Sequence, residues 1–200
     1  MNEKFFDLKK EKQDRMINAA LKVFAKNGYA HASTDDIVRE AGISKGLLFH
    51  YFISKLGLYS FVYDYSVRYM VLELTTGIDK TEQDFFELIR QIKEAELQVM
   101  KTYPYMVLFL KSSNMENVSE ALLETEDKRS ILPEKYTEIL ERADLSKLSN
   151  ASQVSQIRQM LEYTAEGLMR QRFSEEAFQP ELYHQELMQY IQTMKQLMNS

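Results

Sequence analysis

The chain contains no cysteine. That excludes disulfides and thiolate metal sites, and it fits a reducing compartment. Six glycines and three prolines in 200 residues leave little material for tight turns or long loops, so the composition favours helices. The three histidines, His31, His50 and His184, are scattered, with no H-E-x-x-H spacing, and no Gly-rich phosphate loop is present. Neither a cofactor nor a metal is expected, and no catalytic set presents itself. Glu94/Glu96 and Glu175/Glu176 read as solvated surface rather than as acid–base pairs. No stretch approaches eighteen apolar residues, and the opening MNEKFFDLKKEK has no apolar signal core. The expectation is a cytoplasmic protein that is not an enzyme.

What is present is enough hydrophobic material, 44% of residues against 28% charged, to bury a core and stay soluble. The net charge of −5 is unevenly spread. Residues 1–55 hold ten Lys/Arg against seven Asp/Glu, a net +3, while residues 56–200 hold fifteen against twenty-three, a net −8. Contact with phosphates needs a local basic surface, not a basic protein, and an acidic remainder helps orient docking.

The most informative stretch is Thr34 to Lys55, TDDIVREAGISKGLLFHYFISK. Thr34 is a suitable helix N-cap, and Ser33 with Asp36 three residues on offers a second capping arrangement. Ile37, Val38 and Ala41 give a short apolar face, and Gly42 ends the helix where positive φ is easiest. Ile43 reads as a buried plug and Ser44 as the cap of a second short helix. In that helix Leu48 and Phe52 point inward, leaving Lys45, Gly46, Leu47, His50 and Tyr51 outward. The result is a helix-turn-helix whose outer face can enter a major groove, where a lysine can donate to guanine.

The order Thr34, Ile37, Ala41-Gly42-Ile43-Ser44-Lys45-Gly46, Leu48, Phe49-His50-Tyr51-Phe52, Lys55 and Leu58 closely resembles the TetR family of transcriptional regulators. It is motif-specific from about Ala19 to Leu58 and architectural beyond. The resemblance implies DNA contact by Thr34, Ser44, Lys45, Gly46, His50, Tyr51 and Lys55. Leu47 can additionally touch a thymine methyl. In the family the chain's N-terminal end, here with Lys4, Lys9, Lys10 and Lys12, can approach the DNA backbone; the other reading of these lysines is a frayed charged terminus. Two departures stand out: Phe49 replaces a frequent Tyr, and Leu56-Gly57 replaces the usual acid-containing pair, which predicts a looser start to the fourth helix.

Apolar spacing predicts a first helix over 8–27, with Met16, Ile17, Ala20, Leu21 and Phe24 inside and Asn27-Gly28 as its stop. A fourth helix is expected over 55–74, with Leu58, Phe61, Val62, Tyr65 and Tyr69 as its stripe. No Pro- or Gly-rich linker precedes it, so movement at its far end should tilt the recognition helix. Helices follow over 82–102 and, in a short very apolar stretch, 105–111. A longer one is expected over about 119–143, kinked at Pro133, and the last two over 153–173 and 181–199. The 82–102 helix is apolar more than halfway round and should be buried on several sides.

The expected fold is all-α with about nine helices: a three-helix DNA-binding head at 1–53, motif about 34–53, and a ligand-binding and dimerisation body at 54–200. The last two helices suit a four-helix dimer bundle, and in the resembling family that pair makes the homodimer. Residues 59–170 are rich in Tyr, Phe and Met. Tyr65, Tyr69, Phe86, Ile89, Met100, Tyr105, Phe109, Tyr136, Met160, Tyr163 and Gly167 are the candidates to line an effector cavity. The function expected is a one-component regulator, a repressor that binds a palindromic operator in double-stranded DNA and is released by a small apolar or amphipathic molecule. The rival is a small-molecule sensor or protein-interaction module on the same scaffold that does not bind DNA.

Overall fold

The computed structural model describes residues 3–148, 151–173 and 178–199. Among them the chain is helical throughout, with ten α-helices and four short 3-10 turns. Glu175 and Glu176 lie outside the described residues. The chain divides into two compact units, residues 1–71 with 102–133 and residues 72–101 with 134–200.

The first unit opens with a 3-10 turn, Glu3–Phe5, followed by α1 (Lys10–His31), α2 (Thr34–Ala41), α3 (Lys45–Phe52) and the first part of α4 (Lys55–Gly77). After α5 (Phe85–Thr102), the chain re-enters this unit with α6 (Met106–Ser113) and α7 (Ser119–Thr125). The predicted core of α1 is present: Met16, Ile17, Ala20, Leu21 and Phe24 are all buried, and the helix packs on α2 and α6. Asn27-Gly28 does stop regular helix, because Gly28 adopts φ 66°, ψ 176°, a region open essentially only to glycine. A last turn nevertheless continues to His31. Its exposed amide is met from elsewhere: the Glu116 carboxylate accepts from the Tyr29 N–H at 2.9 Å and from the N–H groups of Asn117 and Val118 at 3.0 Å.

Of the two capping arrangements that the sequence offers for α2, the structure takes Ser33, whose hydroxyl accepts from the Asp35 N–H, and Thr34 is the first helical residue. Two other features differ from expectation. On α4 the buried stripe is Leu58, Tyr59, Val62, Tyr63, Ser66, Val67 and Met70, so Phe61, Tyr65 and Tyr69 lie on its half-buried flank. The expected 119–143 helix is two, α7 and α8 (Ile131–Leu140), joined by a 3-10 turn at Glu126–Lys128. The break falls before Pro133, which sits in the first turn of α8, where a missing N–H costs nothing. Arg129 marks it, donating to the Ser113 carbonyl at 3.1 and 3.2 Å.

The second unit holds most of α5, most of α8, α9 (Val154–Phe173) and α10 (Pro180–Asn199), the last two packed on each other. Helix α5 is buried on several sides, with Phe85, Phe86, Leu88, Ile89, Ile92, Leu97, Val99 and Met100 all inside. Two charged residues, Lys93 and Glu96, are inside with them. Among the described residues no helix is long and apolar enough to cross a membrane.

Candidate nucleic-acid interface

The α2–α3 hairpin is fixed by caps and two aliphatic anchors. Gly42 takes φ 62° and its N–H returns to Arg39 and Val38, closing α2 as the sequence predicts. Ser44 accepts from the Leu47 N–H at 3.2 Å and so caps α3. Leu48 and Phe52 are buried, which sets the rotation of this eight-residue helix. Its free side then presents Ser44, Lys45, Gly46 and His50, all exposed, with Leu47 half-buried beside them. A Cβ at Gly46 would meet nothing within 4 Å, so nothing in the protein demands glycine there.

Lys45 is held by the exposed Asp35 of α2, Nζ to Oδ1 at 2.8 Å. An exposed pair of this kind contributes at most about 1 kcal/mol, so a phosphate or a guanine edge can replace the carboxylate cheaply. The other acids of the hairpin are matched likewise, Asp36 by Arg39 and Glu40 by Lys22. Thr34 is half-buried at the start of α2.

Two candidate residues are placed differently from expectation. Tyr51 was expected outward with His50, but it is buried: its ring meets the Phe5 ring edge-on at 5.7 Å. The cause is the 3-10 turn at Glu3–Phe5, which has no counterpart in the hairpin motif. Lys55 was expected to face phosphate. Instead its Nζ donates to the carbonyl of Tyr29 at 2.9 Å and approaches those of Ala30 and Ala32 at 3.4 Å, lying over the Tyr29 ring at 4.4 Å. It satisfies the orphan carbonyls at the end of α1.

The α3–α4 joint is tight rather than loose. The Ser54 N–H bonds the Phe52 carbonyl at 2.7 Å around Ile53, whose φ is 68°, an arrangement rare for a β-branched residue. Ile53 is 75% exposed. Gly57 is required here, since a Cβ on it would lie 2.2 Å from the Phe52 carbonyl oxygen, and its N–H bonds the Ser54 hydroxyl at 3.0 Å.

The eleven effector-cavity candidates divide between the units. Tyr65, Tyr69, Tyr105 and Phe109 belong to the first and the other seven to the second. Tyr65 and Tyr103 share a hydroxyl–hydroxyl bond of 2.6 Å, tied to Asp14 and Lys10, with Tyr69 stacked on Tyr65. Burial and then the Asp14 hydrogen bond push the Tyr103 hydroxyl far above its usual pKa. Phe109 is core, against Phe24, Tyr59 and Tyr63, and Tyr105 lies under Lys26. Phe86, Ile89 and Met100 are buried on α5, whereas Met160, Tyr163 and Gly167 share an exposed face of α9. The first unit also has a shallow cleft of about 240 Å³ between Asp64, Val67 and Arg68 of α4 and Asp127, Lys128 and Ile131; none of the eleven lines it.

A polar cluster missed in the sequence surrounds Tyr136. Its hydroxyl donates to Glu96 at 3.1 Å, and Glu96 also holds Lys93 at 3.0 Å, with Glu162 at 3.4 Å from the same ammonium. Glu96, expected as solvated surface, is therefore an interior ion-pair member. Burial alone would lower the Lys93 pKa, but Glu96 and Glu162 outweigh it and the net direction is up. Burial and then Glu96 raise the Tyr136 hydroxyl well above its usual value. The i, i+3 spacing of Lys93 and Glu96 on a mostly apolar helix was the available signal.

Residues 16–60 match the family described as bacterial regulatory proteins, tetR family. The chain is 42% identical over 59 residues to the HTH-type transcriptional regulator YuxN of Bacillus subtilis, covering 28% of this chain and 20% of that one. It is 34% identical over 85 residues to the HTH-type transcriptional activator FasR of Mycolicibacterium smegmatis, covering 42% and 38%. The matched stretch thus spans less than two fifths of either relative. Over the full length, the fold resembles that of a TetR family transcriptional regulator from Chloroflexus aurantiacus, with TM-score 0.63, 18% identity, and coverage of 100% of this chain and 98% of that one.

Proposed function

We propose, from the premise of a TetR-family helix-turn-helix head on a TetR-family fold, that this protein is a one-component transcriptional regulator that binds operator DNA as a homodimer. The observation that carries the reading is the exposed side of α3, where Lys45, Gly46 and His50 stand together while Leu48 and Phe52 lock the helix behind them. Lys45 reads a base edge or a phosphate, Gly46 allows close approach, and Ser44, Thr34 and His50 serve phosphates that set register. Tyr51 and Lys55, given their burial and partners, support the head from within.

The functional division follows the chain: residues 1–53 read DNA, and residues 54–200 dimerise and bind an effector. Met160, Tyr163 and Gly167 on α9, and Leu182, Tyr190 and Leu197 on α10, each line one face of their helix and are exposed. Apolar stripes of that extent suit burial against a second copy. Two heads then read a palindrome with half-sites about one or more helical turns apart. The effector is small and apolar or amphipathic, and it acts through α4, so effector and operator compete by one coupling free energy and the protein is a repressor. It works where the DNA is, in the cytoplasm, without catalysis.

The test is binding of the full chain to duplex from its own upstream region at increasing salt. Affinity should fall steeply with salt, and Lys45→Ala should lose about 1–3 kcal/mol. A flat salt dependence, or full affinity in Lys45→Ala, removes the proposed face.

A further inference from the structure

We infer that Phe5, which lies outside the helix-turn-helix and outside the stretch matched by the family, is a positioning residue for the recognition helix. It rests on the reading that α3 enters DNA. Phe5 is wholly buried, and its ring lies 5.0 Å from Phe52, 5.2 Å from Phe61 and 5.7 Å from Tyr51, the last two edge-on. Tyr51 and Phe52 form the last turn of α3, and Phe61 is on α4. One side chain thus fills the angle between the recognition helix and the helix that follows it.

An eight-residue helix does not hold itself; its orientation comes from what packs behind it. Near its first turn α3 is set by the Ser44 cap and the packing of α2. At the other end the backbone joint is the single turn at Ile53, and the side chains that face inward there are Tyr51 and Phe52. Phe5 is the wall against which both rest. His50, the exposed aromatic of the DNA face, packs edge-on against Tyr51 at 5.1 Å, so the chain of rings runs from Phe5 to the interface. Removing the Phe5 ring lets the end of α3 settle into the space. Base-edge hydrogen bonds demand narrow geometry, whereas contacts to phosphate tolerate small shifts. Loss of Phe5 therefore weakens selective binding more than binding to any duplex. The neighbouring Phe6 is 54% exposed and meets Phe5 and Phe61, at 5.7 and 6.3 Å, rather than the rings of α3, so it serves as control for a change in the cluster's outer edge.

The experiment uses the full chain to select a duplex from a randomised pool, then measures affinity for that duplex and for a random-sequence duplex of equal length. Measurements are made below the unfolding range of each variant, checked by circular dichroism. Phe5→Ala should lose about tenfold or more on the selected duplex, the size of one lost base contact, while random-duplex affinity stays within about twofold. Phe5→Leu should fall between Phe5→Ala and the parent, and Phe6→Ala should match the parent. If Phe5→Ala does not fold, the same ratio on Phe5→Leu decides. Equal losses on both duplexes, or no loss on either, overturn the inference alone. A pool from which the parent chain recovers nothing overturns the DNA reading and the inference with it.

Discussion

The two compact units place their ion pairs differently. In the first, rings fill the interior, with Phe24, Tyr59 and Phe109 in mutual contact, and ion pairs such as Lys45–Asp35 lie outside. In the second, a Lys–Glu pair lies inside, its side chains only 5% and 2% exposed, while Met160 and Tyr163 are 51% and 65% exposed. The polar residues that the first unit buries, Ser66, Ser113 and Thr125, are uncharged, and its ion pairs lie at the surface. The second carries the exposed faces of α9 and α10, and inside it Lys93, Glu96 and Tyr136 satisfy one another. Burying ions is costly, and a self-matched pair avoids most of that cost only while both members remain.

That last point gives the largest expected effect. Lys93→Met leaves Glu96 buried beside Tyr136 without its cation, and the expected loss is about 3–5 kcal/mol in urea unfolding. The double change Lys93→Met with Glu96→Leu should recover most of it. A single variant as stable as the parent would mean that the pair is wetter than its burial says, and the contrast between the units would weaken. Next in size is the exposed α9 face. Tyr163→Glu places a charge at the centre of the stripe and should cost the association of two copies about 2 kcal/mol or more, read by sedimentation equilibrium. Unchanged mass would show that the apolar face serves something other than self-association.

How much of this was legible in the sequence follows the same contrast. Caps, the Gly42 turn and the inward Leu48 and Phe52 are local, governed by residues within a turn of each other, and the string 33–52 contains them whole. The core of α1 and the deep burial of α5 also follow from periodicity. What escaped depends on distant partners. Tyr51 faces inward because Phe5, forty-six positions earlier, meets its ring. Lys55 is spent because the end of α1 offers carbonyls. Glu96 looked solvated because nothing near it in sequence but Lys93 announces a buried pair, and its other partner, Tyr136, is forty residues on. Of the cavity candidates, aromatic content alone could not tell a core ring such as Phe109 from a surface one such as Tyr163.

The smallest effect sharpens the second unit's side of the contrast. His184 is mostly buried on α10, its Nε2 3.4 Å from Glu94 without hydrogen-bond geometry. Burial lowers its pKa below the usual 6.5; Glu94 and Glu96 oppose that, while Arg90 and Lys101 assist. The folded state therefore holds the proton less well than the unfolded chain. Stability is full above the unfolded value of about 6.5 and falls as the pH drops through the lower, folded value. Urea midpoints should decline from about pH 7.5 to about pH 5.5, and His184→Gln should flatten that slope, the window bracketing the ordinary histidine range. The first unit's comparable group works in the same direction but lower down. Burial would raise the pKa of Glu116, but the N–H groups of Tyr29, Val118 and Asn117 outweigh it and hold it below the usual 4.5. Its contribution is lost only as the pH falls into the carboxylate range. Acid should thus loosen the second unit before the first, and a single coincident transition in His184→Gln and parent alike would remove histidine as the cause.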